Sequence, residues 1–475
     1  MITFDVLTLN AFFKEEKSFL LGARITKIQQ PTRREFIFLL RNNSRTCQFY
    51  VNINPQFYHL CFTSKKNAAK RIIQIPKQPP MFCMLLRKYL ENSRIARVEQ
   101  PENERILEFY IETYNEVGEK IYLCLAFELM GKHSNVVLYN YDTNIIIGCA
   151  HNVGAEKSRD REIYGGLPYV YPPKQSSISD RVWKSLIEEF PTEGSVNDLI
   201  DTYYSDCIAH YKFRVMKQNY KSVVSQKLKK ISKSLNQMEY QLQKSSDNDK
   251  YRLWGDLIVA NLYNLSDYAP FAEVYDYEND QNIKITLDPL KTLKENANRF
   301  YRLYNKGKTS IAKLSEMIRE HCIKKEYLEQ VLYSVEEAEK IDDLFDIAFE
   351  VEDNKPLQRK PITEVEVTKF MAGENTRIYV GKNNKQNDYI ISKLAENEDL
   401  WFHVHNCAGS HVLLKTQVVT DDLILKCAKL AKEYSSAKNS SKTGVIYTKC
   451  KYLRKPPGAN LGYVTYKNEK EIIVD

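Results

Sequence analysis

Three stretches of this chain hold side chains whose types and spacing can do chemistry. Glu104-Arg105 follows the polar connection Pro101-Glu102-Asn103 and opens a strand, so a hairpin tip offers a guanidinium fork beside a carboxylate. The fork suits a phosphate or a base edge, and the carboxylate accepts from a base amino group or orients the arginine. Glu128-Leu129-Met130-Gly131-Lys132-His133-Ser134-Asn135 places Gly131 between two strands, where backbone can approach another molecule closely and donors flank it. Taken alone, the first stretch reads as a solvated turn and the second as a tight turn. The third group, His403, His405 and His411, invites zinc, because His403 and His405 project from one face of a strand. Asp399 and Cys407 lie near, but nothing fixes a fourth ligand, and no metal is assigned. Neither a P-loop nor a nucleophile paired with a base occurs in the sequence.

The elements that must position these residues fall into blocks. Residues 1–175 read as a sheet-rich α+β domain. Arg24 to Ile28, Glu35 to Leu40 and Gln48 to Ile53 are rich in β-branched and aromatic residues, and Pro31, Asn42-Asn43 and Pro55 bound them. A helix is predicted over Met81 to Leu90, with Pro80 suited to its start. Further strands follow near Arg94 to Gln100, Arg105 to Tyr114, Lys120 to Glu128, Asn135 to Asn140 and Ile145 to Cys149, an antiparallel meander. Residues 176–210 form a short, polar, partly helical segment.

Residues 211–350 read as two long helical arms. Val224, Leu228, Ile231, Leu235, Met238 and Leu242 form an apolar seam on the first arm. On the second, Ile311, Leu314 and Ile318 start the same rhythm, and Leu328, Val331, Val335 and Ala338 resume it after His321 and Lys325. The seams can pair into an antiparallel coiled-coil stalk; an ordinary helical subdomain fits the same periodicity. Between the arms, Glu273 to Tyr277 and Asn282 to Leu287 alternate like a hairpin. Lys217, Lys221, Lys227, Lys229, Lys230 and Lys233 surround the first seam, as a solvated face or a phosphate track. A charged linker, Val351 to Pro361, leads into a last α+β block within 351–475. Its elements are strands at Arg377 to Val380 and Asp399 to His405, a polar loop at Gly381 to Asp388, and a helix at Asp421 to Tyr434.

With 475 residues and 43% hydrophobic composition, the chain supports about two to four domains with real cores. No apolar run of about eighteen residues is present, which argues against a membrane span. The start Met1-Ile2-Thr3-Phe4-Asp5 lacks the basic region and apolar core of an export signal, so a cytoplasmic location is expected. The ten cysteines are scattered without a Cys-x-x-Cys pair, which suits reduced, buried thiols. A net charge of +8 permits a polyanionic partner without requiring one.

Gly22 to Pro31, Pro79 to Lys88 and Glu128 to Asn135 resemble the amino-terminal signature of the NFACT family. Its bacterial members are the RqcH-type ribosome quality control factors, earlier labelled fibronectin-binding protein A. The resemblance continues through Trp254 to Leu257, Ala260 to Tyr263, Leu287 to Pro289 and Asn296 to Tyr301 in the coiled-coil region. It ends in the carboxy-terminal RNA-binding domain, where His403, Gly409, Ser410 and His411 match the family pattern. His405 stands where the family usually has lysine, an exchange that a metal-ligand set would not tolerate.

The resemblance implies a glycosylase-like amino-terminal fold without glycosylase chemistry, and tRNA contacts at Glu104, Arg105, Glu128, Met130, Gly131 and Lys132. Glu104 replaces the family's aspartate and lengthens the acid by one methylene. RNA or ribosome contacts are implied at Lys382, Lys385, His403, His411, Arg454 and Lys455, the cations through phosphate attraction. The implied partners are the large (50S) ribosomal subunit, its peptidyl-tRNA nascent-chain complex and a tRNA, alanyl in bacteria. Peptide-bond chemistry would stay with the ribosome, so no catalytic residue and no cofactor is expected, and the missing P-loop and nucleophile–base pair agree with this. The helix-hairpin-helix module that most members carry after the first domain has no matching pattern here and is expected to be reduced or missing. Two other readings remain: an adhesin that binds fibronectin, as the older label suggests, and a nucleic-acid enzyme, for which Met1-Ile2 offers no amine nucleophile of the expected kind.

Overall fold

The computed structural model describes residues 2–114, 117–156, 161–173, 184–245, 248–352, 365–373 and 375–475. The chain divides into two compact units, Met1–Arg214 and Val215–Asp475.

The first unit is built on a nine-stranded antiparallel sheet. Its strands are β1 (Arg24–Thr32), β2 (Glu35–Asn42), β3 (Arg45–Asn52), β4 (His59–Thr63), β5 (Arg94–Glu99), β6 (Ile106–Tyr114), β7 (Lys120–Glu128), β8 (Asn135–Asn140) and β9 (Ile146–Cys149). The spatial order is β9-β8-β7-β6-β5-β1-β2-β3-β4. Two meanders meet where β1 and β5 pair through Arg24 and Arg94. Side chains alternate across this sheet, so each strand feeds two apolar layers. On one face Phe38, Phe49, Phe109 and Phe127 join a large core. On the other, Ile106, Cys124, Ala126, Val137 and Tyr139 form a smaller core.

Helices cover the large core. α1 (Val6–Leu20) is capped by Asp5, which accepts from the Thr8 amide at 2.9 Å, and contributes Leu9, Phe12, Phe19 and Leu20. α2 (Lys65–Lys70) is a short turn after β4, and α3 (Met81–Leu90) follows Pro80 and buries Cys83, Leu86 and Leu90. Arg71, which ends α2, is fully buried and donates to Asp201 Oδ1 at 2.7 Å, to the Asp201 carbonyl at 3.1 Å and to Thr63 Oγ1 at 2.6 Å. Asp201 also accepts from the Ser64 amide at 3.0 Å and from Asn67 Nδ2 at 2.8 Å. This network ties the first turns of α4 (Val196–Ser245) to the sheet. α4 runs unbroken through residue 211, where the sequence places the start of the arm. Residues 174–183, in the polar segment read before it, lie outside the described residues.

In the second unit the remainder of α4 meets α6 (Leu293–Glu337) in antiparallel fashion. At one end Lys221 pairs with Glu336 at 2.6 Å and Lys217 donates to the Ala338 carbonyl at 2.8 Å. At the other, Asn248 donates to the Tyr304 carbonyl at 2.7 Å, and it packs so closely that a Cβ on Gly307 would lie 2.1 Å from its Oδ1. Val224, Leu235 and Met238 of the seam are buried on α4, as are Leu328, Val331 and Val335 on α6, whereas Leu228, Ile231, Leu242, Ile311, Leu314 and Ile318 are half-buried. α5 (Asp249–Ala260) and the hairpin β10 (Phe271–Asp276) and β11 (Gln281–Thr286) share a small core with the start of α6. α7 (Ile341–Val351) follows α6, and residues 353–364, most of the charged linker, lie outside the described residues.

The last part of the unit is a six-stranded antiparallel sheet. It contains β12 (Thr368–Gly373), β13 (Thr376–Val380), β14 (Leu400–Val404), β15 (Val412–Lys415), β16 (Thr443–Lys449) and β17 (Lys470–Val474), in the order β12-β13-β15-β14-β16-β17. α8 (Asn384–Tyr389) lies where the sequence suggests a polar loop, capped by Asn383 Oδ1, which accepts from the Gln386 amide at 2.9 Å. α9 (Asp421–Glu433) turns Cys427, Ala428 and Ala431 into the sheet's core.

Candidate nucleic-acid interface

The register of β6 and β7 places the first two sequence stretches together. Ile106 pairs with Glu128 and Leu107 with Phe127, so the residues just before β6 and just after β7 leave the sheet at the same end. The Leu129 amide donates to the Arg105 carbonyl at 2.9 Å and closes that corner. Glu104 and Arg105 are half-buried there. Gln100 Nε2 holds the Glu104 carbonyl at 3.1 Å, and among the described residues the Glu104 carboxylate meets no hydrogen-bond or ion-pair partner. Gly131 has φ of +65°, the left-handed region, and opens a single helical turn, Gly131–His133, that leaves Lys132 and His133 exposed. The Met130 amide donates to Ser134 Oγ at 2.8 Å and fixes that turn. The resulting corner presents a guanidinium, a carboxylate and a close backbone approach within one patch, a set suited to phosphate and base-edge contacts.

Glu128 does not belong to the exposed part of the patch. It is fully buried on the face of β7 that carries Cys124 and Ala126, because strand side chains alternate. Its Oε1 accepts from Arg161 Nη2 at 2.5 Å and from the Tyr169 hydroxyl at 2.9 Å. Burial raises the carboxyl above the usual glutamate range, and the Arg161 charge opposes that shift. Glu128 therefore braces the turn from inside and cannot reach an external partner.

A residue that the sequence did not single out completes the corner. Tyr58, in the connection between β3 and β4, accepts from Arg105 Nη1 at 3.3 Å and shares a 2.5 Å hydrogen bond with Thr3 Oγ1. Nothing in its spacing or neighbours marks it; only the fold brings it to Arg105.

In the second unit the expected RNA contacts separate into two kinds. Lys385 pairs with Asp346 of α7 at 2.6 Å, Lys382 lies 3.6 Å from Glu339, and Lys455 pairs with Asp388. Arg454 is exposed, with its backbone bridged to Thr465. These four cations sit at the surface or its margin, where phosphate can compete for them. His411 is buried, His403 half-buried, and their rings meet edge to face at 5.3 Å, with Trp401 stacked on His403. Burial holds both imidazoles below the ordinary histidine range, and for His411 the neighbouring His403 adds to it. Burial thus favours the neutral form of both rings, and a neutral imidazole offers phosphate no charge. His405 lies past the end of β14 and faces Glu471 at 3.2 Å. Among the described residues no group of three or more His, Cys, Asp or Glu is placed to hold a metal ion. Gly409 is gripped from α6, where Gln330 Oε1 accepts from its amide at 2.7 Å and Gln330 Nε2 donates to its carbonyl at 2.9 Å.

Comparison with known proteins gives a consistent result. The family model for the NFACT N-terminal and middle domains matches residues 5–193 and 181–366, and that for the NFACT protein RNA binding domain matches residues 366–468. The chain is 27% identical over 565 residues to the Rqc2 homolog RqcH of Bacillus subtilis, covering 100% of this chain and 98% of that protein. It is 26% identical over 545 residues to the Rqc2 homolog RqcH of Streptococcus pneumoniae, again covering 100% and 98%. Both alignments exceed the chain's own 475 residues, so the relatives carry segments that this chain lacks. Among solved structures, the C-terminal part of the fibronectin/fibrinogen-binding protein from Streptococcus suis is 26% identical. It covers 55% of this chain and 94% of that one, with a TM-score of 0.44.

Proposed function

This chain belongs to the NFACT family, and on that premise we propose that it is a ribosome quality control factor that brings tRNA to obstructed large ribosomal subunits. In this reading it binds a 50S subunit that still carries peptidyl-tRNA and recruits a tRNA, alanyl by family resemblance, for untemplated extension of the stalled chain. Peptide-bond formation belongs to the ribosome, and the protein contributes binding and orientation in the cytoplasm. The observation that carries the proposal is the corner where Arg105, Glu104 and Gly131 converge although distant in sequence. The full-length similarity to proteins named Rqc2 homolog RqcH and the match to an RNA-binding domain support it. No helix among the described residues is long and apolar enough to cross a membrane. In this reading the helix-hairpin-helix module is reduced or missing, because the sequence holds no matching pattern. Co-sedimentation tests the proposal: the protein should travel with large subunits that hold peptidyl-tRNA and leave vacant subunits behind. Equal binding to both would overturn it.

The acidic end of the arm supplies a second test. Asp346 holds Lys385 at 2.6 Å with both side chains 22% exposed, so it competes with phosphate for that lysine. Asp346→Asn should raise affinity of the full chain for RNA about twofold to fivefold at low salt, corresponding to a partly exposed ion pair of up to about 1 kcal/mol. Filter binding over a salt series checks it, and the gain should shrink as salt rises.

A further inference from the structure

We propose that Tyr58 is a positioning residue for tRNA recruitment, acting by presetting the guanidinium of Arg105; this rests on the function proposed above. Four observations converge on its half-buried side chain. Its hydroxyl oxygen accepts from Arg105 Nη1 at 3.3 Å. The same oxygen lies 2.5 Å from Thr3 Oγ1. Its ring centroid is 5.9 Å from the guanidinium carbon of Arg105. A Cβ built on Gly131 would stand 3.7 Å from its Cε1. Tyr58 thus touches both turns that the β6–β7 register brings together, from a third segment far from either in sequence.

The hydrogen-bond inventory fixes what the hydroxyl does. A phenol carries one proton, and Arg105 can only donate, so the oxygen accepts from Arg105 and its own proton is free for Thr3. Thr3 is 8% exposed, and an anchored threonine makes an anchored phenol. An arginine carries five N–H donors in a rigid fork, and Tyr58 engages only one nitrogen. The guanidinium is held in place with donors left for RNA. An arginine preset in this way loses less rotamer freedom on binding, which appears as tighter binding without a further contact to RNA. Gly131 serves the same geometry through its backbone: a Cβ there would meet the tyrosine ring only at ordinary contact distance, but the positive φ would strain a side chain.

The test is a double-mutant cycle on the full chain, read as affinity for total tRNA and, separately, as recovery of large subunits. Tyr58→Phe keeps the ring and loses the acceptor; tRNA affinity should fall about threefold to tenfold, with subunit recovery unchanged and a small drop in melting temperature from the lost bond to Thr3. Tyr58→Ala should fall further. In an Arg105→Ala background neither change at residue 58 should have an additional effect, which a merely structural role for Tyr58 would not produce. If Arg105→Ala weakens tRNA binding but Tyr58→Phe and Tyr58→Ala do not, the positioning role is wrong and the functional reading stands. The positioning role is equally wrong if the residue-58 changes weaken binding by the same factor with and without Arg105. If Arg105→Ala itself leaves tRNA binding unchanged, the functional reading fails, and the positioning role fails with it.

Discussion

Replacing Arg105 by alanine is expected to remove tRNA from the purified complex while large-subunit binding is retained. The side chain stands half-exposed at the sheet corner, held by one hydrogen bond to Tyr58 and with donors left over, so on the proposed reading its loss should cost folding little and recognition much. A charge-assisted hydrogen bond contributes roughly 1.5–3 kcal/mol, and loss of the fork should therefore weaken tRNA binding roughly tenfold to a hundredfold. Arg105→Lys should rescue only partially, because a point ammonium restores the charge but not the planar fork. Quantifying tRNA and large-subunit RNA recovered with each variant checks both statements. Lysine performing as well as arginine would mean that the site contributes attraction without geometry.

The largest stability effect is expected at Arg71. This guanidinium is fully buried with Asp201, its charge spread over Asp201, Thr63 and the Tyr50 ring, whose centroid lies 4.6 Å away. Arg71→Ala leaves Asp201 buried without its cation, which costs about 3–5 kcal/mol. That is a large part of the roughly 5–15 kcal/mol stability of a folded domain. The urea midpoint of the first unit should drop accordingly, and tRNA recovery should fall with it. The same pair sets an acid response. Burial alone would raise the Asp201 carboxyl, but the Arg71 charge and the bonds from Ser64 and Asn67 outweigh it and hold the group below the usual aspartate range. A lowered folded-state value means that the pair's contribution is present above the ordinary aspartate range and is lost as pH falls through the lowered value. Stability of the wild type should therefore hold at mildly acidic pH and decline below it, whereas Arg71→Ala should start lower and lose less on acidification.

The strands and α3 were legible because local composition and tertiary role agree in them. Lys120–Glu128 and Asn135–Asn140 are as read, and α3 begins after Pro80 with its apolar residues at helical spacing. α1 was not legible: Lys14-Glu15-Glu16-Lys17 interrupts its apolar stripe, and Glu16 is itself buried beside Arg45 at 3.6 Å. α8 hid for a related reason. Asn383, Asn384 and Asn387 compose a loop by type, yet all are buried and satisfied by a cap, by Glu350 and by the His411 amide. At the candidate interface the two turns could each be found, but their meeting depends on the pairing of Ile106 with Glu128, a long-range register that neither turn encodes. The matching pattern marks Glu128 and His411 as contacts, but both are buried, and Glu128 is taken up by Arg161 and Tyr169. Pattern marks that a position matters; only its exposure says whether it touches a partner.

The most direct measurement is to isolate the tagged protein from its host at moderate salt and sequence the RNA that comes with it, beside the Arg105→Ala variant. The expected result is large-subunit RNA in both samples, with one tRNA enriched in the wild type and lost from the variant. Ribosomal RNA with the same tRNA in both, or no RNA above background, would contradict it.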